Sequence, residues 1–507
     1  MKKIIRNIKN IFVKKQPKYI YLLLFAIPLI ACLPNRCDLD NDFYFLYPTG
    51  KYIIEHGFPH ELLFTIHNSF SFIIQQWVSA VIFYFIYRYF GKLGMILFIY
   101  LMYILILYLS YKLCYIISKK RSASSLISII MGILLSTLFI RTRPQIFDYI
   151  IFLLEFIILE KYMREKDKKV LIFLPLLSFV TINIHASSFL LLFVFMLPYF
   201  INTFKFNILD ITSEKHEKFP LILSSIAMLL AGLINPYKIE MITYIFRSFG
   251  DEYINKSIIE MMPPDITSIS GFTVYISIFI ILFIYFLSKN KNIEIRYFFL
   301  LIGTIFMSLL NLKSFSYFAI AGVFPLADYI SPYFAEDEEF KITDKFKKNY
   351  IISLIILITI ILASFIVSYS NKTVGNVSSK KIVSYLVKEE KKENKKFKIY
   401  TNYYNGAYAE FNGLKVYIDP RAEAYLKKNN KKEDIYKEYY MLSYSDLDIE
   451  SFLKKYNFDY IIVSDDERLY NSYLKHKKNK LYKKVYTEIE DIGNKKKEVN
   501  YLYKKIY

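Results

Sequence analysis

Apolar residues in this chain come in long unbroken blocks rather than at the spacing of an amphipathic helix, and this constrains the fold more than any motif. Runs such as YIYLLLFAIPLIACL (19–33), LISIIMGILLSTLFI (126–140) and YIISLIILITIILASFIVSY (350–369) approach the length needed to cross ~30 Å of hydrocarbon. Several fall short of twenty residues, which implies tilting or flanking Tyr and Lys that reach the interface. With 54% hydrophobic residues in 507, the blocks predict an all-α polytopic membrane domain.

The formal charge of +21 does not mark a nucleic-acid binder. Much of it sits in short connections between apolar runs, where it sets orientation, and in a Lys-rich tail. Three cysteines cannot build a disulfide framework. Cys32 and Cys37 are close enough in sequence to pair, but free buried thiols are the expected state. Leu29-Ile30-Ala31-Cys32 looks like a lipoprotein cleavage box. The long basic stretch before it and Pro28 within the run favour an uncleaved first helix.

Placing the basic N-terminus in the cytoplasm makes 19–33 the first span and puts residues 34–93 on the outer side. The stretch 71–90, with Gln75, Gln76, Trp77 and Arg88, suits an interfacial helix. Further spans are expected at 94–117, 124–140, 146–160, 170–184, 187–203, 219–234, 271–288, 297–310, 315–331 and 350–369, about eleven in all. This arrangement keeps Lys119-Lys120-Arg121, the basic 161–169 stretch and the 204–218 loop inside. Were 71–90 to span, those basic loops would switch sides. The bilayer is thus the expected surrounding, and the cell membrane the expected location.

Residues 40–60 carry Asp40, Asp42, Glu55, His56 and His60 beside this oily chain. Carboxylates and imidazoles are costly to desolvate there, so they are candidate functional groups. On the charge-derived topology, Arg141, Arg143, His185, Asn235 and the Met262-Pro263-Pro264-Asp265 turn face the same outer compartment. Glu155 is the main charge inside a span.

From about residue 371 the composition turns polar, and residues 371–507 are read as a small extracytoplasmic α/β domain following a membrane domain at 1–370. Strand-like stretches are 396–402, 414–420, 459–465, 481–489 and 500–507. Helical signals lie at 379–393 and 446–457, with Asp448 as an N-cap. There is no Walker loop, no G-x-G-x-x-G before a helix, no H-E-x-x-H and no Cys/His set with zinc spacing. ATPase, nicotinamide and zinc-protease chemistry therefore find no support.

A short first helix, an acidic outer loop, an interfacial helix, many spans and an extracytoplasmic tail together resemble the GT-C superfamily of membrane glycosyltransferases. Asp40-Asn41-Asp42-Phe43-Tyr44 and Thr49-Gly50-Lys51-Tyr52-Ile53-Ile54-Glu55-His56-Gly57-Phe58-Pro59 look like the D-P-D-x-W-W…T-G-R-W-I-L-E-H-G-x-x-P signature of a bacterial branch. Gln76-Trp77, Arg143-Pro144-Gln145, Asn183-Ile184-His185, Asn235-Pro236-Tyr237 and Tyr417-Ile418-Asp419-Pro420-Arg421 match in order, so the similarity covers nearly the whole chain. Two departures stand out: Leu46 where the branch usually has His, and Gln76-Trp77 where it usually has Glu-Trp.

The resemblance implies transfer of a sugar from a polyprenyl-phosphate-linked donor to a glycan, lipid or protein acceptor on the outer side. It implies an outer-loop Asp as base, here Asp40. Asp42 would support it or join it in holding a divalent cation, Mg or Mn. Arg141 and Arg143 suit the phosphate, because guanidinium forms paired hydrogen bonds to it. His56 and His185 are further candidates for substrate binding; a turn position and helix packing are their plainer readings. Asn235-Pro236 reads as a helix stop, and Asp419 with Arg421 as a local ion pair. The competing class is a non-catalytic polytopic protein, either a transporter or an envelope-assembly scaffold. No internal repeat supports the transporter, while Leu46 and Gln76 keep an inactive relative in play.

Overall fold

The computed structural model describes residues 39–334, 359 and 379–506, apart from 206, 209–210, 214–215, 288–291, 446, 477–478 and 492–496. The runs 19–33 and 350–369 (residue 359 aside), Cys32 and Cys37 lie outside the described residues. The described chain is mostly helical with a small sheet region. It divides into two compact units: a helical one from Ile96–Asn235 and Ile259–Asn371, and a mixed one from Asp38–Met95, Pro236–Ile258 and Lys372–Tyr507.

Helix Trp77–Ser118 contributes an arm to each unit. It breaks at Gly91, whose φ of 58° and ψ of −154° fit a residue without Cβ. The break falls between the stretches 71–90 and 94–117 that the sequence separates, although the first arm starts at Trp77 rather than 71.

In the helical unit every run expected between 94 and 310 forms a helix: the second arm, then Arg121–Leu138, Gln145–Glu165, Phe173–Ile184, Phe189–Ile201, Phe219–Gly232, Ile269–Leu287 and Ile295–Leu310. The run 315–331 is not one helix. It splits into Phe315–Tyr317, a wider turn Phe318–Gly322 and Leu326–Ile330, with Pro325 ending the pattern where it cannot donate a backbone bond. Among the described helices, Trp77–Ser118 and Ile269–Leu287 are long and apolar enough to cross a membrane. Arg121–Ser136, Ala186–Ile201, Phe219–Gly232 and Ile295–Leu310 are apolar but shorter. The expected count of eleven spans is therefore not reached among the described residues.

Two-residue strands β1 (Asn207–Ile208), β2 (Ile211–Thr212) and β3 (Ile293–Glu294) link two connections of this unit. Ser178 Oγ donates to the Met228 carbonyl at 2.7 Å, and Cys114 is a free buried thiol. Phe272, Phe279, Phe283 and Phe286 of Ile269–Leu287 are exposed, as are Leu223, Ile226 and Leu230 of Phe219–Gly232.

The mixed unit is built on strands β4 (Lys398–Tyr400), β5 (Lys415–Val416), β6 (Tyr460–Ser464), β7 (Tyr482–Asp491) and β8 (Lys497–Lys505), in the order β5-β4-β6-β8-β7. The first three are parallel and the last two antiparallel. β6, YIIVS, is buried throughout, as expected of a central strand with both faces covered. Helices Lys380–Glu393 and Ile449–Tyr456 match the expected helical signals, and the Asp448 carboxylate caps the second by accepting from the Glu450 N–H. Helices Tyr403–Phe411 and Ile435–Tyr444 were not evident from the pattern.

Residues 39–76 belong to this unit rather than forming a free loop. Asn41–His56 is a helix despite Pro48. It packs on the following helix so closely that a Cβ at Gly50 would lie 2.1 Å from the Ala80 carbonyl oxygen. Its other face meets Tyr403–Phe411 through ring contacts of Tyr44 with Tyr408 and Phe411. Residues 61–71 then double back, and Thr65 pairs with Val416 at the edge of β5. His67 secures the junction: its Nε2 lies 2.8 Å from the Tyr417 carbonyl and its ring stacks on Phe70. Burial lowers the His67 pKa from 6.5 to about 4.

Candidate functional site

The six candidate residues divide between the units: Arg141, Arg143 and His185 in the helical one, Asp40, Asp42 and His56 in the mixed one. In the helical unit, residues 141–144 form the tight turn before helix Gln145–Glu165, with the Arg143 N–H bonded to the Arg141 carbonyl at 2.8 Å. The turn presents both guanidinium groups to Glu260. Arg143 Nη1 donates to Oε1 at 2.7 Å and Oε2 at 2.9 Å, while Arg141 Nη1 lies 3.8 Å from Oε1. All three side chains are partly exposed (19–34%), so an anion can reach them. The sequence reading missed Glu260, which stands two residues before the Met262-Pro263-Pro264-Asp265 turn.

His185 is buried at the C-terminal end of helix Phe173–Ile184. Its Nδ1 lies 2.5 Å from Oδ2 of Asp148, a buried carboxylate in the first turn of Gln145–Glu165. Packing alone, its plainer expected role, would not require this partner. Asn183 of the same motif donates to the Ile234 carbonyl at 2.9 Å, and Asn235 donates to the Gly232 carbonyl. Those bonds fit the helix-stop reading of Asn235-Pro236. Glu155, midway along Gln145–Glu165, is fully buried, with neither oxygen hydrogen-bonded among the described residues. Glu160, also missed in the sequence, is neutralised by the buried Arg296, whose Nε lies 3.1 Å from it, and accepts from the Tyr297 and Tyr199 hydroxyls.

In the mixed unit Asp40 occupies the N-cap position of Asn41–His56. Its carbonyl accepts from the Phe43 N–H at 3.0 Å, and its side chain makes no capping bond. Asp42 follows in the first turn, where the helix dipole favours a carboxylate. His56 stands in the last turn, with its ring 4.8 Å from Tyr52. At 1.5 Å per residue the helix separates His56 from Asp42 by ~20 Å, so the acid and histidine neighbours of the sequence do not form one cluster. Among the described residues no group of three or more His, Cys, Asp or Glu side chains is placed to hold a metal ion. Asp40 and Asp42 alone are a poor donor set for Mg or Mn.

The Tyr417-Ile418-Asp419-Pro420-Arg421 motif forms the ion pair expected of it. Arg421 reaches Asp419 at 2.7 Å, Glu410 at 2.9 Å and the Leu63 carbonyl at 3.2 Å, tying residues 61–71 to the C-terminal part of the unit. The Tyr425 hydroxyl donates to the same Asp419. Burial pushes the Glu410 carboxyl well up; burial opposes Asp419's ionisation too, yet the Arg421 guanidinium holds Asp419 below the usual range. Phe45 and Phe72 flank the guanidinium at 5.6 and 5.3 Å. Both departures from the branch pattern, Leu46 and Gln76, line one small recess with Arg421 and Glu423.

The fold itself has a known counterpart. The chain aligns with the oligosaccharyltransferase of Archaeoglobus fulgidus in its apo form at a TM-score of 0.52 and 10% identity, covering 89% of this chain and 70% of that one. The same enzyme tethered to an acceptor peptide containing the NVT sequon gives 0.51 and 11%, covering 88% and 69%. The likeness establishes an oligosaccharyltransferase-like fold. No family model matches the sequence, and none of the curated proteins compared with it matches.

Proposed function

We propose that this chain is a membrane glycosyltransferase that moves a sugar from a polyprenyl-phosphate-linked donor to a glycan, lipid or protein acceptor of the cell envelope. The observation that carries the reading is the fold shared with an oligosaccharyltransferase along 89% of the chain, with the outer-loop acids at the start of a helix. The exposed apolar faces of Ile269–Leu287 and Phe219–Gly232 support a bilayer setting, since soluble surfaces rarely expose such bands. In this reading residues 1–370 form the membrane domain. Residues 371–507, together with the outer segment 34–93, lie on the extracytoplasmic side. The motif matches support assignment to the bacterial branch with the D-P-D-x-W-W-like loop.

Two tasks must be met: a base takes the acceptor's proton, and cationic groups stabilise the departing phosphate. Asp40 is assigned the first, with Asp42 supporting it. Arg141 and Arg143 are assigned the second; a phosphate dianion competes with Glu260 for the Arg143 fork, which suits paired bonding. A non-catalytic scaffold is the alternative, favoured by the replacement of titratable side chains at Leu46 and Gln76.

The test is transfer from lipid-linked sugar in membranes, comparing wild type with Asp40→Asn. An amide cannot take a proton at that position but nearly keeps its size, so transfer should vanish while insertion persists. Full activity of the correctly inserted Asp40→Asn protein removes Asp40 as base; no transfer by wild type favours the scaffold.

A further inference from the structure

We propose that Asp148, His185 and Ser187 form a proton relay beside Arg141 and Arg143, through which His185 protonates a lipid phosphate. The inference rests on the reading of that Arg pair as a phosphate site.

Both imidazole nitrogens are engaged. Nδ1 lies 2.5 Å from Asp148 Oδ2 and Nε2 lies 2.9 Å from the Ser187 hydroxyl. Ser188 Oγ donates to the same Asp148 oxygen at 2.6 Å, fixing the carboxylate from a second side. The turn Ala186–Ser188 places the two serines around the ring, with the Ser188 N–H bonded to the His185 carbonyl at 3.0 Å. Asp148 and His185 are each 2% accessible, whereas Ser187 is exposed. Asp148 Oδ1 is buried without a hydrogen-bond partner among the described residues. A buried carboxylate with one unmatched oxygen is costly unless a positive charge compensates it. The proton that Nε2 takes up when a phosphate binds supplies that charge.

The bonding assigns roles to the atoms. With Asp148 accepting from Nδ1–H, Nε2 is the position that gains and loses a proton, and Asp148 holds the ring in that orientation. This is the division of labour between aspartate and histidine in acyl-transfer triads. Asp148 stands in the first turn of the helix that the 141–144 turn opens, so the relay and the arginines share one helix end.

In the transfer, the bond between the sugar C1 and the phosphate oxygen breaks as a bond from the acceptor oxygen to C1 forms. The acceptor's proton goes to the Asp40 carboxylate. The departing phosphate oxygen takes a proton from His185 Nε2, directly or through the Ser187 hydroxyl. The imidazole is left neutral with its Nδ1–H still on Asp148. One proton is taken up and one released, so exchange with water restores both groups. Asp148 is a positioning residue and His185 the acid.

The test uses full-length protein in nanodiscs and citronellyl phosphate, a short prenyl monophosphate, titrated calorimetrically at pH 7.5 in two buffers of different ionisation heat. Wild type should take up a proton on binding, because the incoming dianion draws one onto Nε2. Asp148→Asn and His185→Gln should lose that uptake and bind roughly 10–100-fold more weakly, the effect of removing a charge-assisted bond. Arg143→Ala should weaken binding but retain the uptake. Binding by wild type without proton uptake, or uptake retained in both Asp148→Asn and His185→Gln, overturns the relay while leaving the phosphate site standing. No binding by wild type overturns the phosphate site and the relay with it.

Discussion

Acidification should detach residues 61–71 from the C-terminal part of the mixed unit through a single residue, His67. Its ring is held among Phe70, Tyr417, Tyr425 and Tyr456, and its Nε2 is bonded to the Tyr417 carbonyl. Burial lowers its pKa from 6.5 to about 4, so the folded unit favours the neutral ring. The stability this contributes is complete above pH 6.5 and is lost as pH falls toward 4. With these two values the linkage relation gives a loss of about 2 kcal/mol between pH 7.5 and pH 5, or about 30-fold in the opening equilibrium. Hydrogen exchange of full-length protein in nanodiscs, corrected for intrinsic rates, reads it in peptides covering 61–71 and 415–417. Wild type should lose about 30-fold protection at pH 5 relative to a His67→Gln variant, which keeps a donor but cannot be protonated. Equal loss of protection in both proteins would refute the assignment of the acid window to His67.

Other consequences follow from packing and charge. Gly50→Ala should lower the melting temperature in detergent, since overpacking of about 1–3 kcal/mol outweighs the helix-propensity gain of Ala. Gly303→Ala, where a Cβ meets nothing within 4 Å, should not lower it. Arg421→Lys should destabilise the mixed unit by about 3–5 kcal/mol, because an ammonium cannot serve Asp419, Glu410 and the Leu63 carbonyl together. An unchanged unfolding temperature would refute that latch. Glu260→Gln should tighten citronellyl phosphate binding roughly 2–5-fold by removing a partly exposed competitor for Arg143. Weaker binding would instead make Glu260 a support of the arginine geometry.

Local pattern was sufficient for most of the elements. The apolar runs between 94 and 310 became helices because run length and hydropathy are properties of neighbours along the chain, and Asp448 capped its helix for the same reason. Pattern failed where a local cue was misleading: Pro48 and the polar residues around it read as a loop, yet Asn41–His56 is a helix, and this carries His56 away from Asp40 and Asp42 while leaving it 4.0 Å from Glu55. Pattern was silent where partners are distant. Nothing along the chain singled out Asp148; packing sets His185, 37 residues on, against it. Glu260 meets Arg143 across 117 residues, and Thr65 meets Val416 across 351. Helical and strand periodicities report only which residues share a face a few positions apart. Which buried charge finds which partner is decided when those faces pack, because a buried charge must be paired to be tolerated.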